Sequence, residues 1–383
     1  MRPPASTPRH LAEILADSGA VPAEWADAIA VVPRELFLPD VVEAGDEVIS
    51  RSGSPERWLA AVYDDVPLTT QINDGRALPD GAYRLPTSSS SMPSVMLEML
   101  GLLDVAEGHR VLELGAGTGY NAGLLAHRLG SGNVTTVDID PVLVERAAAN
   151  LRAAGLRPRV VCGEGEEGWP GGAPYERVIA TYTVPEIPYA WVEQAPAGRI
   201  VAPWGGSFFS HSFAVLDVAD GEAHGRFSGY PAFMRTRTGR PPRGYLSDFL
   251  HHTDEDTPSR TALSPLAITG DADAQFFVGL GVPDAWHLLV DADDASGEAT
   301  WWLLADDGKS WAAAEYVPGG DTEAGSDRTY TIGQYGPRRL WDEAERAYRS
   351  WESHDRPSRD RAGLSVARTG QHVWLDDPSN VVG

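Results

Sequence analysis

Apolar residues recur at helical spacing near the start of the chain, give way to strand and helix alternation in the middle, and return as short aromatic runs toward the end. Thr7-Pro8 sets a capping hydroxyl ahead of a proline suited to a first helical turn, and Leu11, Ile14 and Leu15 follow on one face. After Gly19, Pro22 opens a second helix with Trp25, Ile29 and Val32 on one side, ended by Pro33 and followed by Leu36-Phe37-Leu38-Pro39. Residues 1–65 are therefore expected to form a helical lead-in. The polar run Thr87 to Ser91 reads as a flexible loop feeding a helix that starts after Met92-Pro93 and carries Val95, Met96, Met99 and Leu100.

From there strands are expected at Arg110 to Leu114, Val134 to Val137, Pro158 to Val161, Arg177 to Ala180 and Gly198 to Pro203. Helical segments lie between them, one through Leu124, Leu125 and Leu129 and another from Pro141 to Leu151. That alternation implies parallel pairing, hence a doubly wound, Rossmann-like α/β sheet covered on both faces, with Ser212 to Val218 as an edge strand. The basic stretch Arg235 to Arg243 marks a boundary. Beyond it lie Trp286, Trp301, Trp302, Trp311, Trp341, Trp351 and Trp374, in strand-like runs broken by Asp-Asp-Gly and Pro-Gly-Gly turns, with one amphipathic helix from Pro337 to about His354. The expected organisation is a lead-in over 1–65, a sheet domain over 66–238 and a smaller α+β domain over 239–383, whose tryptophans are read as core rather than as a docking surface.

Composition narrows the classes of partner. A chain of 383 residues exceeds what one hydrophobic core usually supports, and no run approaches the ~20 apolar residues of a membrane helix. Met1-Arg2-Pro3-Pro4 is not followed by a secretory run, so the expectation is a cytoplasmic protein without membrane attachment. Fifty-five acidic against 31 basic residues, a net charge of −24, disfavour nucleic acid and favour basic peptides or a cationic cofactor; the same acidity also serves solubility alone. The single cysteine, Cys162, excludes an internal disulfide and a thiolate zinc cluster and is expected to be a small buried residue. His127, His211 and the pair His251-His252 lack metal-ligand spacing, so no metal is expected. The chain is expected to be a monomer.

The chemistry concentrates at the end of the first core strand, Glu113-Leu114-Gly115-Ala116-Gly117-Thr118-Gly119-Tyr120, and of the next, Asp138-Ile139. Glycines without Cβ let a backbone come close to a ligand, and open α/β sheets bind ligands at the carboxyl ends of their strands. The Gly-x-Gly-x-Gly spacing with Glu113 inside the strand end differs from the Gly-x-Gly-x-x-Gly of a pyrophosphate site. Together with Asp138, placed to accept from both ribose hydroxyls, it points to S-adenosylmethionine, with S-adenosylhomocysteine as product. Gly163-Glu164, ending the following strand, supplies a partner for the adenine amino group or is simply a turn.

Around that motif the chain resembles the protein-L-isoaspartate O-methyltransferases over about residues 7–218. The resemblance is carried by Val31-Val32-Pro33-Arg34-Glu35-Leu36-Phe37-Leu38-Pro39, the Ser-x-Pro element Ser91-Met92-Pro93, the glycine loop, and Gly198-Arg199-Ile200-Val201-Ala202-Pro203-Trp204-Gly205. It implies a class I methyltransferase fold and a methyl-accepting carboxylate beside Ser91, with Ser90 and Ser89 as neighbours. The chain departs from the family's pattern at Met92, at the four serines Ser88 to Ser91, and at Thr181-Tyr182-Thr183, which stands where small residues are usual. These departures and the C-terminal extension resemble variants that accompany ATP-grasp peptide maturases, which methylate a normal aspartate of a ribosomal peptide whose ester closes to an aspartimide.

A carboxylate is already ionised at neutral pH, so the expected chemistry is alignment and water exclusion without a general base. Other readings are conventional isoaspartate repair, a nicotinamide-dependent oxidoreductase, against which the glycine spacing argues, and a non-catalytic module that escorts an acidic peptide.

Overall fold

The computed structural model describes residues 6–19, 22–77, 79, 81–240, 244–250, 257–292, 297–317 and 329–382. The chain divides into two compact units, the first comprising 1–203, 211–235 and 364–371, the second 204–210, 236–363 and 372–383. This differs from the expected division at 65/66 and 238/239. The lead-in shares the core of the first unit, and each unit borrows a segment from within the other's stretch of sequence. The pair His251-His252, the Pro241-Pro242-Arg243 end of the basic stretch and the Pro318-Gly319-Gly320 turn lie outside the described residues.

In the first unit, α1 (Pro8–Asp17) is capped as expected, Thr7 Oγ1 accepting from His10 N at 3.2 Å. Helix α2 (Ala26–Val31) follows, and Leu11, Leu15, Trp25, Ile29 and Val32 are all buried. The lead-in is not wholly helical. Val-Val-Glu-Ala-Gly-Asp-Glu-Val-Ile-Ser forms the hairpin β1 (Val41–Ala44) and β2 (Glu47–Ser50), turned at Gly45 with φ +59°. After α3 (Pro55–Val62), β3 (Leu68–Ile72) and β4 (Pro86–Ser90) complete a four-stranded sheet in the order β2-β1-β3-β4. The serine run is thus mostly strand rather than flexible loop: Ser88, Ser89 and Ser90 pair antiparallel with β3, and Ser88 and Ser90 are buried.

Helix α4 (Pro93–Leu103) leads into β5 (Val111–Leu114), α5 (Tyr120–Leu129), β6 (Val134–Asp138), α6 (Pro141–Ala153), β7 (Arg159–Cys162), β8 (Arg177–Ala180), α7 (Tyr189–Gln194) and β9 (Arg199–Trp204). Strands β5 to β9 pair in parallel in the order β9-β8-β5-β6-β7, and the sheet continues through β10 (Ser212–Ala219) and β11 (Glu222–Ser228). The order reverses beside β5, which opens a crevice at the carboxyl ends of β5 and β8. Leu97, Leu100 and Leu103 of α4 share one core with Val111, Val134, Ile179, Val201 and Phe213.

The second unit holds β12 (Ser259–Thr261), α8 (Leu266–Thr269), α9 (Ala272–Gly281), β13 (Ala285–Asp291), β14 (Ala299–Ala305), β15 (Trp311–Tyr316), β16 (Tyr330–Tyr335) and α10 (Leu340–Ser353). Its five strands form one sheet in the order β12-β16-β15-β14-β13. Helix α10 buries Leu340, Trp341, Ala344, Tyr348 and Trp351, and Trp341 meets Trp301 edge-on at 5.9 Å between ring centroids. Trp301, Trp341, Trp351 and Trp374 are buried, in keeping with the core reading, whereas Trp286, Trp302 and Trp311 are half-buried. The last strands, β17 (Ala362–Ala367) and β18 (Gly370–Leu375), continue the large sheet beyond β11. Among the described residues no helix is long and apolar enough to cross a membrane.

Candidate active site

The glycine loop is built as the spacing requires. Gly115 and Gly119 both have φ +96°, a backbone that side chains rarely adopt. A Cβ on Gly115 would lie 2.4 Å from Thr181 Oγ1, and one on Gly119 3.2 Å from the Ala147 Cβ of α6, so neither position accepts a larger residue without displacement. Gly119 caps α5 directly. Ala116 and Thr118 are buried within the loop, the Thr118 carbonyl accepting from Asn150 Nδ2 at 3.0 Å.

Asp138, at the end of β6, faces this loop. Its Oδ2 accepts from Gly117 N at 2.8 Å and its Oδ1 from Asp140 N at 3.0 Å, while Asp140 caps α6 by accepting from Val142 N and Leu143 N. Ile139 is more than a third exposed, a flat apolar surface beside Asp138. Gly163 and Glu164 follow β7, Gly163 N donating to the Asp138 carbonyl at 3.0 Å and Glu164 lying exposed. Asp138, Ile139 and Gly163 therefore line neighbouring strand ends.

Two motif residues are buried among other side chains. Glu113 is fully buried, and its Oε1 accepts from Asn121 Nδ2 at 2.7 Å. Burial pushes its carboxyl up to about 7, against the opposing pull of Thr136 and Asn121 and with a small push from Asp138. Glu113 thus ties β5 to α5. Tyr120, expected at the cofactor, packs its ring instead on Phe37 at 5.5 Å, with the Arg34 guanidinium 5.9 Å from its centroid. It belongs to the core, and burial holds its hydroxyl up at about 12. Cys162 also departs from expectation: it is exposed, because β7 is the edge strand of the large sheet.

The serine strand crosses the glycine loop. A Cβ on Gly117 would meet Ser88 Oγ at 3.6 Å and the Ser89 carbonyl at 3.8 Å. Two side-chain networks hold the strand there. Thr87 Oγ1 donates to Gln71 Oε1 at 2.9 Å, and Gln71 Nε2 donates to Asp140 Oδ2 at 2.8 Å, linking β4 through β3 to the cap of α6. On the other side Arg34, wholly buried, donates to the carbonyls of Val62, Asp64, Val66, Ser90 and Ser91 and to Ser90 Oγ, over 3.0–3.2 Å. Desolvation lowers the guanidinium to about 10, still charged at neutral pH. Ser91, half-buried just past the strand, is held by its carbonyl in this way. Arg34 and Gln71 had no sequence-level signal as site residues beyond Arg34's place in the Val-Pro-Arg run.

The parallel sheet, the glycine cradle and the Asp138 carboxylate define a class I, S-adenosylmethionine-dependent methyltransferase, with residues that fit that donor. Residues 6–226 match the model of the Protein-L-isoaspartate(D-aspartate) O-methyltransferase family, more than half of the chain, and the chain belongs to that family. It is 33% identical over 230 residues to a protein-L-isoaspartate O-methyltransferase of Hyperthermus butylicus, covering 57% of this chain and 83% of that one. It is 37% identical over 213 residues to one of Methanopyrus kandleri, covering 55% and 81%. A solved protein-L-isoaspartate O-methyltransferase structure aligns over 96% of this chain and 99% of its own, with a TM-score of 0.52 and 22% identity, and so shares the fold. The chain is accordingly a carboxyl O-methyltransferase. Its C-terminal extension has a fold counterpart in that structure, so the extension by itself does not single out a peptide-maturation variant.

Proposed function

We propose that this protein methylates the side-chain carboxylate of an isoaspartyl or aspartyl residue in a peptide or protein, with isoaspartyl the preferred acceptor. The observation behind this reading is the approach of the serine strand to Gly117, which sets the Ser88 hydroxyl and the Ser89 carbonyl beside the donor's loop. The named activity of the curated relatives supports the isoaspartyl preference.

When bound, S-adenosylmethionine supplies an electrophilic methyl on a sulfonium. The acceptor carboxylate, ionised at neutral pH, would take that methyl without a general base, leaving the donor as S-adenosylhomocysteine. The chain's part is alignment and exclusion of water. Asp138 would accept from the ribose hydroxyls, and the Gly115–Gly119 backbone would admit the amino acid portion. Ser91, with Ser89 and Ser90 behind it, orients the acceptor by hydrogen bonds that leave its charge in place.

The test is transfer of labelled methyl to paired peptides that differ only in Asp or isoaspartate. A base-labile ester on the isoaspartyl peptide, formed on the order of tenfold faster than on its partner, is the expected result; no transfer to either defeats the reading. A second reading rests on the run Ser88 to Ser91, which departs from the family's pattern. There a normal aspartate of a ribosomal peptide is methylated, and attack by the following backbone nitrogen expels methanol to give an aspartimide. Preference for the Asp peptide, with loss of about 32 mass units as methanol after esterification, would select it.

A further inference from the structure

Tyr182, two residues past β8, is the largest departure from the small residues that the family resemblance leads one to expect there. Its ring lies against both Gly115 and Gly165. A Cβ on Gly115 would lie 3.0 Å from Tyr182 Cδ1, and a Cβ on Gly165 would lie 2.1 Å from its hydroxyl oxygen, so the ring reaches from the glycine loop to the turn after β7. The preceding residue is fixed, Thr181 Oγ1 donating to the Gly115 carbonyl at 2.5 Å and Thr181 N to the Leu114 carbonyl at 2.9 Å.

The hydroxyl at the far end of that ring is buried and has no hydrogen-bond partner among the described residues. A buried hydroxyl left unpaired is costly, so such an atom beside the turn after β7 asks for an explanation. Burial, and then the nearby carboxylates of Glu166, Asp138 and Glu164, push its ionisation well above the ordinary phenol range. The group is therefore a standing O–H donor among acceptors.

We infer that the Tyr182 hydroxyl donates a hydrogen bond to a ring nitrogen of the donor's adenine. Carboxylates can serve the amino group and hydroxyls of an adenosyl ligand, but a purine ring nitrogen is an acceptor and needs a donor. The same carboxylates repel the ligand's own carboxylate, so the amino acid end does not lie against this phenol. The assignment rests on the methyl-donor reading above.

Calorimetric titration with S-adenosylhomocysteine tests it, using full-length protein and Tyr182→Phe, which keeps the ring. The variant should bind on the order of tenfold more weakly, as expected for one lost hydrogen bond to a buried partner. Its ligand-free melting temperature should be unchanged or higher, since an unpaired buried atom has been removed; a merely structural role for the hydroxyl would lower it. Among the 1-, 3- and 7-deaza analogues of the ligand, one should bind wild type as weakly as the variant binds the parent compound, and the variant should not distinguish that analogue. Equal affinity of wild type and Tyr182→Phe for S-adenosylhomocysteine overturns the assignment while leaving the donor reading intact. Failure of wild type to bind the ligand at all overturns both.

Discussion

Single side chains at this site divide into those that face a ligand and those that shape the backbone doing so. Asp138 is proposed to do both, because the carboxylate that holds Gly117 N is also the one assigned above to the ribose. Asp138→Ala should weaken S-adenosylhomocysteine binding by about 10- to 100-fold, the usual worth of hydrogen bonds to a charged group, with the far-UV spectrum retained. An unchanged dissociation constant would remove it from the site. Glu113 is of the second kind. Its carboxyl is held near 7 when folded against about 4.5 as a free side chain, so the folded state binds the extra proton between those values. This contribution to stability is full below about pH 4.5, falls as pH rises through 7, and is flat above. Glu113→Gln should therefore gain stability relative to wild type between about pH 5 and pH 8, by up to a few kcal/mol. Thermal melts of both proteins across that interval check this, and a difference constant with pH contradicts it.

At the scale of elements, the acceptor side is set by β4, and β4 is set by Arg34. With its acceptors gathered from two separate stretches, 62–66 and 90–91, Arg34 does for the serine strand what a longer hydrogen-bonded ladder would do elsewhere. Arg34→Met keeps length but leaves buried carbonyls unpaired, at about 1–3 kcal/mol each where water cannot replace the donor. The expected outcome is a lower melting temperature and a KM for the peptide raised several-fold, with donor affinity within about twofold of wild type. Equal losses of peptide and donor binding would show that Arg34 supports the whole unit and not β4 in particular. The sequence made some elements easier to read than others for definite reasons. Strands β5 and β8 are short, mostly apolar runs buried along their length, and β6 sets Val134 and Val137 around two β-branched threonines, so all three are found from local composition alone, as is α10 from its Leu340-Trp341-Ala344-Tyr348-Trp351 stripe. Ser88 to Ser90 gave no such signal, since serine enters a core only when long-range partners satisfy its hydroxyl, and Arg34 lies 56 residues from Ser90. Gln71 was silent for the same reason, and the hairpin at Gly45 was hidden beneath the helical pattern on either side. Tyr120 shows the converse: adjacency to a glycine motif says nothing about where a ring on the first turn of α5 will point.

For the whole molecule, sequence boundaries and compact units are different things. Strand β17 lies next to β11 in the large sheet, His224 Nδ1 and Ser365 Oγ being 2.8 Å apart, and Gln371 Oε1 accepts from Ile187 N at 3.0 Å. A protein ended at residue 238 would lose these partners and present β11 as an open edge carrying Ala223 and Phe227. It should be recovered mostly as aggregate. Restoring residues 362–375 through a flexible linker should return soluble material, whereas a truncated form that stays monomeric and active would show these strands to be dispensable.

The interleaving also fixes an order of events at the ribosome. Because residues 364–371 belong to the first unit, its sheet is finished only after residue 371 has been made, whatever has folded before. Nascent chains stalled before β17 lack the strand that lies next to β11, and only a product carried past these last strands can complete the sheet on which the methyl donor's loop is built.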